Sequence, residues 1–182
     1  MTALSHDSVD PERALKYAIQ HHVSERVQIV EGVVEPLASG WGQEAFADAI
    51  RHQLRDRVRE LGCITGAGDL DLPGSSNWFI PDVAVVPREL AREGEALLPE
   101  QTLLIVEVTS ETTGDTDRLV KPRRYAEYGA PLYLLIDRRD ATCTLFAEPG
   151  PPGYARTAGP LPFGAPIDLP EPFGLRLDTS AF

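Results

Sequence analysis

Residues 103–110 read LLIVEVTS and residues 132–137 read LYLLID. Neither run alternates apolar with polar positions. Both therefore read as strands covered on two faces, which requires helices or further sheet on both sides. That requirement excludes a simple hairpin meander with one wet face. It also raises a question, because one carboxylate, Glu107, stands inside the first run.

The remaining segments supply the covering layers. Residues 10–22 read as a helix with Asp10 as cap, Pro11 in the first turn, and Ala14, Tyr17, Ala18 and His21 on one face. VQIVEGVVEPL reads as a hairpin turning near Glu31-Gly32. Residues 42–61 carry Phe46, Ile50, Leu54, Val58 and Leu61 at helical spacing, with Gly62 as a stop and an arginine-rich outer face. CITGAGDLDL reads as one strand, WFIPDVAVV as another, and residues 87–100 as a polar connector. A helix over 115–129 precedes LYLLID, and TCTLFAE reads as that strand's antiparallel neighbour. The Pro- and Gly-rich end predicts turns and short edge strands. Interleaved helices and strands place the chain in the α/β (α+β) class, with a mixed sheet flanked by helices.

The 182 residues suit one domain with a short arm, read as a helical arm over 1–25 and a domain over 26–182. No apolar run reaches the roughly 18 residues that cross a bilayer, and the polar N-terminus lacks a secretory pattern, so a cytoplasmic protein is expected. Two cysteines and four histidines show no metal spacing, which argues against a structural zinc site. A formal charge of −11 disfavours a broad grip on nucleic acid. It leaves room for a local patch, for which Arg118, Lys121, Arg123 and Arg124 are the candidates.

An ionised carboxylate in a dry strand costs on the order of 3 kcal/mol or more unless paired. Glu107 therefore faces solvent, pairs with an arginine, or helps hold a cation. Asp82, in the WFIPDVAVV run, is a strand-entry residue or a second acid at the same sheet edge. Two such acids suit Mg²⁺, which takes oxygen ligands and keeps several waters. Lys121 precedes Pro122, which predicts non-helical backbone at a helix entrance and an ammonium turned toward the sheet. A surface lysine is the alternative.

PDVAVV, then VEVTS, then TDRLVKPRRYAEYGAPLYLLID, in that order and spacing, resemble the Uma-two family of restriction-endonuclease-like proteins. The VEGVV hairpin and the ending around PFGLRLD are similar too, so the resemblance runs from about Val27 to the end. It implies a PD-(D/E)xK nuclease fold. Asp82 matches the motif aspartate and Glu107 the second acid. The lysine of the basic pattern falls at Thr109, so the chain resembles the variant whose lysine has moved to the next helix, here Lys121. Tyr125 matches a family tyrosine. Three positions depart from the family pattern. Gln43 and Glu44 stand where relatives place a histidine, Ser110-Glu111-Thr112 replaces Ser-Pro-Ser, and Tyr133-Leu134 replaces Tyr-Trp.

The resemblance implies Mg²⁺ (or Mn²⁺) held by Asp82, Glu107 and the Val108 carbonyl, with Lys121 beside the attacking water. Arg118, Arg123 and Arg124 would meet neighbouring phosphates of a nucleic acid, DNA before RNA. Glu31 or Glu44 could add a third acid. A homodimer is expected from the short edge strands. Two other readings stay open: an inactive interaction module that keeps the fold, and a hydrolase of a small phosphorylated substrate.

Overall fold

The computed structural model describes residues 10–182 apart from 24, 38–39, 95 and 111–113. The elements run α1 (Pro11–His22), β1 (Val27–Val30), β2 (Val33–Pro36), α2 (Trp41–Glu60), β3 (Cys63–Gly66), β4 (Leu70–Leu72), β5 (Asn77–Phe79), β6 (Val83–Pro87) and α3 (Arg88–Arg92). There follow β7 (Leu104–Val108), α4 (Lys121–Glu127), β8 (Leu132–Asp137), β9 (Thr142–Ala147), β10 (Arg156–Pro162), β11 (Ile167–Leu169) and β12 (Leu175–Leu177).

The central sheet has six strands in the order β10-β9-β8-β7-β6-β3. Among the described strands of this sheet only β7 and β8 pair in parallel, and α4 lies on the connection between them. Every residue of β7 and β8 is buried, as their unbroken apolar character predicts. One face of β7 presents Leu104, Val106 and Val108 to Ile50, Leu54 and Val58 of α2 and to β11 and β12. The other face presents Ile105 to Tyr125 of α4, Tyr133 of β8 and Phe79 of a second sheet. That second sheet has the order β2-β1-β5-β4. Glu107 shares the parity of Ile105 and therefore faces α4.

Local chemistry explains most element ends. The β1–β2 turn has Glu31 at φ 48° and Gly32 at φ 83°, the left-handed pair that a two-residue hairpin requires. α2 ends where Gly62 takes φ 68°. Its buried stripe is Ala47, Ile50, Leu54 and Val58, as the spacing predicts. α1 begins at Asp10, whose side chain accepts from the Glu12 N–H.

Some readings need correction. CITGAGDLDL holds two strands, β3 and β4, in different sheets, because the Gly-Ala-Gly stretch breaks the run. WFIPDVAVV also splits, since Pro81 lacks the N–H that a continuous ladder needs; β5 joins the small sheet and β6 the large one. The 87–100 connector contains the short helix α3. α1 packs through Leu15 and Ile19 on Ile29 and Trp78, not through Tyr17, which is exposed. Lys16 reverses its usual preference: it is buried and paired with Glu12 and Asp71 at 2.7 Å each. No helix of the described residues is long and apolar enough to cross a membrane.

Leu54 is fully buried in the α2 stripe. Leu54→Ala is expected to cost about 3 kcal/mol in urea unfolding with the m-value unchanged. Exposed Arg55→Ala on the same helix should change stability by less than about 0.5 kcal/mol.

Candidate active site

β6 and β7 are antiparallel with Val83 opposite Val106. One further step along this register puts Asp82 across from Glu107, on the same face of the sheet. A separation along the chain thus becomes a cross-strand neighbour pair. Asp82 is fixed at both oxygens. Oδ2 accepts from the Val108 N–H at 2.7 Å, and Oδ1 accepts from Gln43 Nε2 at 2.8 Å. The same Gln43 amide donates to the Val108 carbonyl at 3.0 Å, reaching there from the first turn of α2.

Glu107, only 2% exposed, is answered by two donors. Lys121 Nζ lies 2.8 Å from its Oε1, and the Tyr125 hydroxyl donates to the same oxygen at 2.9 Å. Lys121 is equally buried, and its ammonium also sits 3.0 Å from Asp117 Oδ1, one helical turn earlier. The expectation of non-helical backbone at Lys121 fails: φ is −61° and ψ −44°. The proline is accommodated by a wide π-helical turn over Thr116–Val120, which leads straight into α4. Lys121 still stands at the helix entrance, the first residue of α4, directly after that irregular turn.

Asp82, Glu107, Asp117 and Lys121 share one cleft of about 140 Å³ with Gln28, Gln43, Glu44, Arg26 and Arg51. A family model described as "Putative restriction endonuclease", Uma2, matches residues 12–180. The chain belongs to the Uma2 family. Among solved structures, the chain is similar to a protein of Anabaena variabilis ATCC 29413 described as a "putative nuclease belonging to DUF820". The TM-score is 0.62 at 13% identity, covering 87% of this chain and 89% of that one, and it shows a shared fold. No curated protein matches.

Against the Uma2 pattern, the structure brings Asp82, Glu107, Lys121 and Tyr125 together. Thr109, in the basic pattern's lysine position, is buried and accepts from the Arg138 N–H at 3.0 Å. Tyr133 is buried and donates to the Asp117 carbonyl at 2.7 Å. Residues 111 and 112 lie outside the described residues. Arg118, Arg123 and Arg124 do not line the cleft. Arg118 is held bidentate by Asp137 at 2.5 and 2.6 Å, Arg124 by Glu31 at 2.6 and 2.7 Å, and Arg123 pairs with Glu127 at 3.0 Å. Glu31 is therefore committed elsewhere, whereas Glu44 lines the cleft and pairs with Arg51 at 2.6 Å.

Sequence reasoning missed Asp117 and Arg26 as cleft residues, and of the arginines on the outer face of α2, read as solvated or as phosphate contacts, Arg51 is the one that lines the cleft. Asp117 carried a readable signal, the i, i+4 spacing to Lys121 in DRLVK. Arg26 carried none, because only the packing of the segment before β1 against the sheet end brings it in.

Burial, with repulsion from Asp117 and Asp82, pushes Glu107 up to about 8 even against the favourable charge of Lys121. Burial likewise raises Asp82, despite the bonds from Val108 and Gln43. Burial would lower Lys121, but the charges of Glu107 and Asp117 more than offset it and hold the ammonium protonated. Three acids thus face one ammonium.

This imbalance fits a divalent cation. Among the described residues no three His, Cys, Asp or Glu side chains form a ready metal cluster. Mg²⁺ needs fewer, since it binds through one or two carboxylates and keeps waters. Asp82 Oδ1 and the Val108 carbonyl converge closely enough to share one amide donor, so an electropositive group is accommodated between them.

Metal-free protein should show the burial of Glu107 as a stability slope. The native carboxyl keeps its proton up to about pH 8, while the unfolded one releases it near 4.5. The native state then binds more protons in that window, so stability falls as pH rises through it. Wild type should lose stability relative to Glu107→Gln between about pH 5 and 8, by at most about 1.4 kcal/mol per pH unit. Urea unfolding of both proteins in EDTA across that range measures it; parallel curves would contradict the assignment.

Proposed function

We propose that this chain is a metal-dependent nuclease that hydrolyses phosphodiester bonds of nucleic acid, DNA being the first candidate. The observation that carries the reading is the meeting of Asp82, Glu107 and Lys121 in one cleft, with the Val108 carbonyl joined to Asp82 through the Gln43 amide. Family membership and the shared nuclease fold support it.

Asp82, Glu107 and the Val108 carbonyl are the groups that would hold the cation. When bound, Mg²⁺ or Mn²⁺ supplies Lewis acidity to a phosphoryl oxygen and makes water a better nucleophile. The Val108 N–H fixes the Asp82 carboxylate, and Tyr125 fixes that of Glu107, so neither need reorganise when charge arrives. Lys121 balances the excess negative charge and places an ammonium where charge develops on the phosphate. Arg26 and Arg51, on the rim of the cleft, offer cations to the incoming phosphate.

One observation favours a second reading, a non-catalytic module with the nuclease fold. Lys121 is closely held by Glu107 and Asp117, as it would be in a purely structural ion cluster. The two readings separate experimentally. Labelled DNA and RNA should be cut in Mg²⁺ or Mn²⁺ and spared in EDTA. Asp82→Asn and Lys121→Ala should each lower the rate on the order of 100-fold or more. Tyr125→Phe, which removes only the bond orienting Glu107, should lower it roughly 10- to 100-fold. Mn²⁺ should also raise the melting temperature of wild type and not that of Asp82→Ala. No cleavage with any cation, and no cation-dependent shift in melting, would leave the module reading.

A further inference from the structure

We infer that a second, basic cavity beside the cleft acts with Trp41 as a subsite for an unpaired stretch of nucleic acid. The inference rests on the nuclease reading and names the form of its substrate: single strands or unpaired ends, not intact duplex.

The cavity, about 480 Å³, lies at the carboxyl ends of β7 and β8 and is lined by Thr109, Ser110, Asp115, Arg118, Arg138 and Arg139. Its lining is polar and cationic, which suits an anion better than an apolar ligand. Arg118 is locked by Asp137, with its Nη1 3.8 Å from the exposed Asp115. Arg138 and Arg139 are exposed, and among the described residues neither is within salt-bridge distance of a carboxylate. Arg138 is held instead over the Phe46 ring, its Cζ 5.7 Å from the centroid, which leaves its N–H donors for a phosphate.

The first turn of α2 joins this cavity to the acidic cleft. Gln43 reaches Asp82. Its neighbour Gly42 lies against Arg138 so closely that a β-carbon there would fall 2.9 Å from Nη2. The next residue back, Trp41, is 92% exposed, whereas the other tryptophan, Trp78, is 5% exposed. A bare indole costs water structure and gains nothing from the core. One residue along the backbone from the Gly42–Arg138 contact, it puts a stacking face at the same helix start as a guanidinium that has no ion pair among the described residues, the combination that binds single strands. Bases in a duplex are stacked on each other and present only edges, so an indole on the surface selects unpaired ones.

The test is binding by the full chain in EDTA, so that cleavage plays no part. The probes are a short fluorescein-labelled DNA strand, the RNA strand of the same sequence, and the DNA duplex. Single strands should bind more tightly than duplex and quench tryptophan fluorescence. Trp41→Ala should lose that quench and weaken strand binding about tenfold while leaving duplex binding unchanged. Arg138→Gln with Arg139→Gln should lower the slope of log affinity against log salt by about 1.4. The DNA and RNA arms show which strand is preferred. Equal or tighter duplex binding, an unaltered Trp41→Ala, or a Trp41→Ala effect only on self-association would overturn the inference. Strands bound but never cut in Mn²⁺ would defeat the nuclease reading and leave the subsite standing. Strands cut by Trp41→Ala with unchanged affinity would do the reverse.

Discussion

The ammonium of Lys121, enclosed between Glu107 and Asp117, ties together the parts of the fold that matter most. None of these three groups tolerates burial in its ionised form alone, because removing water from an ion costs several kcal/mol unless a partner replaces it. Glu107 belongs to the central strand β7, Asp117 to the wide turn, and Lys121 to the start of α4. The cluster therefore holds strand and crossover helix to each other. Tyr125 and Tyr133 close its sides, donating to Glu107 and to the Asp117 backbone while their rings pack 5.4 Å apart. An apolar trio of the same volume would serve a purely structural role as well or better. On the nuclease reading, a buried ionisable cluster that lines a cleft has a chemical role beside its structural one.

Topology places everything useful at one edge of the large sheet. β6 runs antiparallel to β7, so the residue before β6 and the last residues of β7 meet at the same end. β8 runs parallel to β7, so Asp137, Arg138 and Arg139 arrive at that end as well. α2 begins there, with Trp41, Gln43 and Glu44 in its first turn. The opposite side of the sheet stays apolar and packs on the buried stripe of α2. The apolar packing and the ionisable cluster are thus divided between the two faces of the same strands, and the first turn of α2 bridges the acidic cleft to the basic cavity.

Much of this was legible in the sequence, and what was not has a common cause. β7, β8, α2 and the first hairpin follow from local periodicity and turn chemistry, which tertiary contacts only reinforce. Asp82 and Glu107 stood out because a carboxylate in an apolar strand is expensive wherever it lies. WFIPDVAVV read as one strand because its composition is continuous, yet Pro81 passes the chain from one sheet to another. The buried face of α1 was misplaced because Lys16, the residue that reads as most soluble, is neutralised by Asp71 from β4. Arg124 read as a phosphate ligand because its bidentate partner Glu31, in the β1–β2 turn, cannot be assigned without the fold. In each case the deciding partner comes from a different layer or a different turn.

The charge of −11 looks at first like an obstacle to any polyanionic substrate. It bears on approach more than on binding. At physiological ionic strength charges separated by more than about 8 Å are largely screened from each other. A docked phosphate therefore responds to the few groups within one screening length: Arg26 and Arg51 at the cleft, or Arg118, Arg138 and Arg139 in the cavity. Most other cations are already spent on neighbouring acids, as Arg57, Arg59, Arg124 and Arg176 are. On the nuclease reading, an acidic body whose Arg26, Arg138 and Arg139 have no ion pair among the described residues would repel nucleic acid except near those cations. Negative charge over the rest of the surface then works as a means of orientation.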